Sequence, residues 1–289
     1  MHIELKNVSK SFGEVAALSD VSAVIPHGRK VALIGPNGSG KSTLTRIIMG
    51  LLACEGEVRL DGRSPFEHRE RLAERLAYVP QTAPQLGASV SEIVDTIATV
   101  RGLKPAAIAA TAAHLGFDLE AAGELAVRAL SGGTRQKLML ALALSTRADL
   151  FILDEPTASL DAASRRAFYR LYEEVADGST LILCSHRLEE IQHLVDHVIA
   201  LESGRVSFDG SVTTFLESRT VSVIELYDIA KTHVEWLRNR GFNPGAAGAW
   251  AKTVTRAEKA QLLAEISEKC DGDFANIVVR DMERVDVPN

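Results

Sequence analysis

Cysteine is scarce: Cys54, Cys184 and Cys270 stand far apart in 289 residues. So thin a set argues against a disulfide framework or a zinc site, and free, buried thiols in a reducing cytosol are the expectation. Long apolar runs are missing too. The best candidate, around Leu138 to Leu144, is broken by Thr146, Arg147 and Asp149, well short of the roughly 20 residues a spanning helix needs. The opening MHIELKNVSK has no charged segment followed by an apolar core, so no secretion signal is expected. An excess of positive charge is also absent. The formal net charge of -6 argues against general attraction to nucleic acid or anionic lipid, so a membrane role would have to run through a protein partner. Aromatic residues make up 5%; the two tryptophans, Trp236 and Trp250, are expected to have nothing basic or repetitive surrounding them and to fill a small core. There is no internal repeat, and the only biased stretch is the Ala-rich Pro105 to Ala113.

What is present is an ordinary globular composition, 46% hydrophobic and 24% charged, enough for one large α/β domain and a small appendage. Strand-like alternation opens the chain at Ile3 and Leu5. An apolar strand, Lys30 to Ile34, leads through a glycine-rich loop into a helix from about Ser42 to Leu52. Gly56 to Leu60 reads as a strand ending in an Asp61-Gly62 turn, and Val90 to Leu144 as mostly helical. Strands return at Leu150–Leu153 and Thr180–Cys184, separated by a helix with apolar positions Leu160, Phe168, Leu171 and Val175. After about Ser218 the units shorten: strand Val221–Leu226, helix Asp228–Arg240, loop Gly241–Gly248, strand Trp250–Val254, helix Arg256–Cys270 and strand Phe274–Val279. This tail reads as a separate small α+β domain.

Two motifs carry the chemistry. Gly35-Pro36-Asn37-Gly38-Ser39-Gly40-Lys41-Ser42 matches the phosphate-loop pattern G-x-x-x-x-G-K-[ST]. Its glycines let backbone N–H groups converge on phosphate oxygens, and the following helix presents its positive N-terminus to the same anion. Lys41 would reach the outer phosphates, and the Ser42 hydroxyl, beside Thr43, would ligate Mg²⁺. Downstream, Leu150-Phe151-Ile152-Leu153 delivers Asp154 and Glu155 to the strand's carboxyl end, the edge where parallel sheets bind ligands. Asp154 suits Mg²⁺ through its water shell, and Glu155 suits a general base acting on water. His193 and His197, four apart on an expected helix, have the spacing of a metal pair. They project from its polar face without a third ligand, and are read as solvated.

Together with Leu130-Ser131-Gly132-Gly133, these motifs resemble, over roughly residues 1 to 217, the nucleotide-binding subunits of ABC (ATP-binding cassette) transporters. The string Leu130 to Lys137 and the order of elements after Ser218 look most like the branch that serves ABC-2 exporters. The resemblance implies a P-loop NTPase core of α/β class with an antiparallel β subdomain and a helical subdomain at about 82–148, then a C-terminal accessory or regulatory α+β domain at 218–289. It implies that Ser131, Gly132 and Gly133 face the γ-phosphate of ATP held by the opposite subunit of a head-to-tail dimer, whether homodimer or heterodimer. The usual glutamine after the glycines is Thr134 here. By the same resemblance Gln81 touches Mg²⁺ and the attacking water, His186 bonds the γ-phosphate, Asp161 nears the partner's site and Phe12 stacks on adenine. The implied setting is the cytoplasmic face of the membrane, peripheral to a separate permease, with ATP hydrolysis driving transport. Export is the expected direction, and the cargo is open among a copper-enzyme maturation factor, drug, lipid and ion. The competing reading is a soluble ABC ATPase acting on nucleic acid or ribosomes. Such relatives usually carry tandem cassettes or a long coiled-coil insertion, neither of which this chain has.

Overall fold

The computed structural model describes residues 1–185, 187–245, 249–270 and 276–283. The chain divides into two compact units, Met1–Val212 and Thr213–Asn289, a division slightly earlier than the boundary expected after residue 217.

In the first unit, strands β1 (Ile3–Phe12) and β2 (Val15–Ile25) form an antiparallel hairpin, followed by β3 (Lys30–Ile34), α1 (Lys41–Ile48), β4 (Glu55–Leu60), α2 (Arg69–Ala73) and β5 (Leu76–Val79). A helical block comes next: α3 (Val90–Arg101), α4 (Pro105–His114) and α5 (Gly132–Ser145). The chain then alternates β6 (Leu150–Asp154), α6 (Ala162–Val175), β7 (Thr180–Cys184), α7 (Leu188–Leu194), β8 (His197–Glu202) and β9 (Arg205–Ser211). Two sheets result. One is antiparallel, in the order β2-β1-β4; the other has six strands in the order β5-β6-β7-β3-β8-β9, parallel except for the β8–β9 pair.

The six-stranded sheet is apolar on both faces because both are covered. The two-residue period of a strand sends alternate side chains to different cores. From β6, Leu150 and Ile152 join Ile3, Leu5 and Val21 of the antiparallel sheet and Leu44 and Ile47 of α1. Phe151 and Leu153 instead join Leu138 and Leu144 of α5 and Phe168 and Tyr172 of α6. One sheet thereby holds the antiparallel subdomain on one side and the helical block on the other.

Local chemistry sets the helix limits. α3 starts at a capping box in which the Ser89 hydroxyl accepts from Glu92 N and the Glu92 carboxylate accepts from Ser89 N, and it stops at Gly102 with φ +62°. Pro105 opens α4, where its missing N–H costs nothing. Most of the stretch from Val90 to Leu144 is helical, as expected, but α-helix gives out between α4 and α5. Gly116, at φ +68°, turns the chain there, and only a short 3-10 turn, Val127–Ala129, interrupts the irregular stretch. No helix among the described residues is long and apolar enough to cross a membrane.

The second unit takes in most of α8 (Val212–Arg219), then β10 (Thr220–Tyr227), α9 (Val234–Asn239), β11 (Asn243–Pro244), β12 (Trp250–Thr255), α10 (Arg256–Cys270) and β13 (Asn276–Glu283). Its antiparallel sheet runs β11-β12-β10-β13. Leu262, Ile266 and Cys270, four apart on α10, pack with Ile224, Leu226, Leu237, Phe242 and Val254, the stripe expected of a helix covering one sheet face. β13 is described from Asn276, and Phe274, the expected start of the last strand, lies outside the described residues. The helix expected over Asp228–Arg240 is shorter, a 3-10 turn at Lys231–His233 leading into α9. Trp236 and Trp250 pack against this core half-buried. Contrary to the sequence reading, one basic group stands beside each: the Arg240 guanidinium lies 6.0 Å from the Trp236 ring and that of Arg238 5.7 Å from Trp250.

Candidate nucleotide site

The order β5-β6-β7-β3 brings four loops side by side at the carboxyl ends of parallel strands. β3 runs into Gly35, β7 into the Ser185–Arg187 loop, β6 ends on Asp154, and β5 leads through Pro80 to Gln81. Register keeps these ends level: Val79 pairs with Leu153, Leu153 with Leu183, and Asp154 with Cys184. Adjacent strands lie about 4.8 Å apart, so the four loops open side by side on one edge of the sheet. His186 itself lies outside the described residues.

The phosphate loop is built around its glycines. Gly35 has φ +147°, and a Cβ there would sit 2.2 Å from the Leu201 carbonyl oxygen. Gly40 has φ +102°, and a Cβ would meet the Ala17 oxygen at 2.5 Å. Gly38, at φ +82°, faces open space. Pro36 and Asn37 are exposed with it, while the Ser39 hydroxyl is buried without a protein hydrogen-bond partner. Helix α1 follows directly with neither a side-chain cap nor an acid in its first turn. Its first amides are therefore left for an anion. Lys41 Nζ donates to the Gly35 and Pro36 oxygens at 2.7 and 3.0 Å, poised over the loop. Ser42 is exposed and Thr43 half-buried on the first turn of α1.

Asp154 is half-buried at the end of β6. Burial, with the adjacent Glu155 charge, raises its carboxyl above the usual range, and the Lys41 and Arg46 charges pull the other way. Glu155 takes φ +47°, rare for a residue with a side chain, and its amide donates to the Cys184 oxygen at 2.8 Å. Such backbone costs of order 1–3 kcal/mol and persists where surroundings enforce it, commonly at functional sites. Ser42, Asp154 and Gln81 together offer only hard oxygen donors, the set that suits Mg²⁺.

The signature residues sit on another element. Ser131 caps α5, its hydroxyl accepting from Thr134 N at 3.2 Å and lying 2.7 Å from the Thr134 hydroxyl, so the threonine that replaces the usual glutamine engages the cap itself. Gly132 is exposed in open space, whereas a Cβ on Gly133 would come within 2.8 Å of the Ser159 oxygen. The signature loop therefore rests on the loop leading to Asp161. Asp161 caps α6, accepting from the Ser164 amide and hydroxyl at 2.8 and 2.9 Å, and these bonds hold its exposed carboxyl below the usual range. Phe12 is 50% exposed at the tip of the β1–β2 hairpin, with Lys10 Nζ 5.5 Å from its ring.

One expectation is corrected. His193 and His197 do not share a helix: α7 ends at Leu194, Val195 is extended, and His197 opens β8, where its Nε2 lies 2.5 Å from Asp209 Oδ1. The β-branched residues Val195, Val198 and Ile199 favour strand there. Among the described residues no group of three or more His, Cys, Asp or Glu side chains stands together as a metal site. Two buried polar residues were missed. Gln136 on α5 donates from Nε2 to the Pro156 oxygen at 3.1 Å, and Glu190 on α7 is fully buried. A clue to Glu190 exists in the sequence: it shares the stripe of Ile191 and Leu194.

Comparison with known proteins matches the ABC transporter family model over residues 18–158. The chain is 36% identical to the Nod factor export ATP-binding protein I of Sinorhizobium fredii (strain NBRC 101917 / NGR234), over 78% of this chain and 67% of that protein. It is 31% identical to the manganese transport system ATP-binding protein MntB of Bacillus subtilis (strain 168), over 74% of this chain and 88% of that one. The chain belongs to the ABC transporter ATP-binding family. It is an ATPase subunit of such a transporter, and the reading as a nucleic-acid or ribosome factor is not favoured. Among solved structures, an ATP-binding subunit of an ABC transporter superposes with TM-score 0.67 at 27% identity, over 75% of this chain and 93% of that one. A bacterial Atm1-family ABC exporter with ATP bound gives 0.68 at 25%, over 75% of this chain and 40% of that one. The six-stranded sheet is thus the P-loop core of an ABC cassette. ABC ATP-binding subunits work with membrane permease components and commonly dimerise.

Proposed function

We propose that this ABC subunit hydrolyses ATP at a site shared between two copies, and that closure of the two copies drives export through a separate permease. The observation that carries the reading is the convergence of a glycine cradle, an uncapped helix N-terminus and two acids at level strand ends. The adenine rests on Phe12, and backbone amides from Gly35 to Ser42, with Thr43, hold the phosphates. Lys41 leaves the loop carbonyls for the outer phosphates, exchanging neutral acceptors for charged ones. Ser42 and Gln81, with Asp154 through water, would hold Mg²⁺, which when bound neutralises charge on the phosphate oxygens. Glu155, aimed by its constrained backbone, takes the proton of the attacking water, and His186 keeps that water in line. Ser131, Gly132 and Gly133, at the start of α5, offer the partner's γ-phosphate a second helix N-terminus, and Asp161 crosses the same interface.

A homodimer is the simplest arrangement. A heterodimer with a second cassette satisfies the same geometry. The subunit would lie peripherally on the cytoplasmic face of the membrane, beneath the permease. Export is favoured by the names of the Nod factor export relatives and of the Atm1-family neighbour; cargo is set by the permease. The Thr213–Asn289 unit is assigned an accessory or regulatory role. Replacing Glu155 with Gln tests the site. ATP affinity is expected to persist while turnover drops by two or more orders of magnitude, about what loss of a general base costs, and an ATP-locked dimer should appear on size exclusion. Normal turnover would remove Glu155 from the base role.

A further inference from the structure

Glu190 is an acid with no solvent exposure, on the first turns of α7 and outside every motif of the nucleotide site. One hydroxyl meets its carboxyl: Thr157 Oγ1 donates to Oε1, while Oε2 is buried without a hydrogen-bond partner. Thr157 lies two residues after Glu155; Ser185 directly precedes His186 and accepts from Arg187 N at 3.1 Å. Both are buried, Thr157 at 0% and Ser185 at 4% exposure. One carboxyl on α7 therefore holds the loop after β6. On the far side of that loop, Gln136 of α5 holds the Pro156 oxygen, so Glu155-Pro156-Thr157 is fixed from both flanks.

We infer that Glu190 is a positioning residue for ATP hydrolysis, tying the backbone that carries Glu155 to α7. The inference rests on the role proposed for Glu155. Stability is a poor reason for such an arrangement, since a buried acid loses hydration and a well-packed apolar residue often serves the fold as well. Geometry is a better one. The base lies on the irregular turn just after β6, and a shift of about 1 Å in its position can cost about 10²-fold in rate. Burial raises the Glu190 carboxyl above the usual range, with the Glu155 charge adding to this and the neighbouring Ser185 and Thr157 hydroxyls opposing it.

The test uses the full chain and compares Glu190→Ala, Glu190→Gln and Thr157→Val, with Glu155→Gln as the control. Steady-state ATPase gives kcat and KM, metal-free ATP binding gives affinity, and thermal unfolding monitors the fold. Glu190→Ala and Thr157→Val are each expected to lower kcat by about 10²-fold while KM and ATP affinity stay within about threefold. Glu190→Gln, whose amide oxygen still accepts from Thr157, recovers kcat to within about tenfold of the parent. The double variant Glu190→Ala/Thr157→Val loses no more than the worse single one, because both break one link. Should Glu190→Ala fail to fold, Thr157→Val and Glu190→Gln decide the matter. A folded Thr157→Val protein with parental kcat overturns the inference, as does a loss of kcat and affinity in equal measure. Retained turnover in Glu155→Gln would instead strike at the site reading, whatever Glu190 does.

Discussion

Each glycine of the phosphate loop has its own reason to be there, and the reasons predict different costs. At Gly40 a methyl would meet the Ala17 oxygen at 2.5 Å and Leu18 Cδ2 at 2.6 Å, whereas at Gly38 it would meet nothing within 4 Å. Gly38→Ala thus carries only the left-handed penalty of about 1–2 kcal/mol. Gly40→Ala adds an overpacking cost of about 1–3 kcal/mol. Thermal unfolding should show Gly40→Ala lowering Tm by roughly twice as much as Gly38→Ala, and equal shifts would contradict the loop geometry. These positions were legible in sequence because the motif is a run of neighbours doing a backbone job. Glu190 and Gln136 were not, because their partners, Thr157 and Pro156, come from distant segments. The one local sign, the place of Glu190 four residues before Leu194 on α7, does not by itself separate a buried Glu from a solvated one.

Among the elements, α5 links the most parts of the site. It begins at the Ser131 cap, rests through Gly133 on Ser159 and reaches Pro156 through Gln136. Gln136→Leu leaves the buried Pro156 oxygen without that donor, an expected loss of about 1–3 kcal/mol, with turnover falling further than ATP affinity. Unchanged stability and turnover would show that the bond holds nothing in place. Ser131→Arg puts a long side chain at the expected dimer face; ATP binding by the single subunit should survive while ATPase activity is lost. An unaltered rate in that variant would count against shared sites. The sequence showed the strands of the core well, since β3, β6 and β7 are short apolar runs buried on both faces. It was less reliable at helix ends. The stretch from Leu115 to Ser131 has helix-like composition but breaks at Gly116, and α7 yields to β8 because pairing with β3 outweighs the local periodicity that put His193 and His197 on one helix.

In the whole molecule, Met1–Val212 carries two cores, one on each face of its six-stranded sheet, and Thr213–Asn289 carries a third. The order of motifs along the chain by itself points to the ABC family, and the relatives place the chain there. What sequence could not supply was depth. The level ends of β5, β6, β7 and β3 come from sheet order, which no local pattern records. The composite site is the central claim, and its most direct measurement is ATPase rate per subunit against protein concentration, over two or more decades, with light scattering to report mass. The account predicts that the rate per subunit climbs with concentration as ATP-bound copies pair. A strictly monomeric protein hydrolysing ATP at full speed, independent of its concentration, would contradict it.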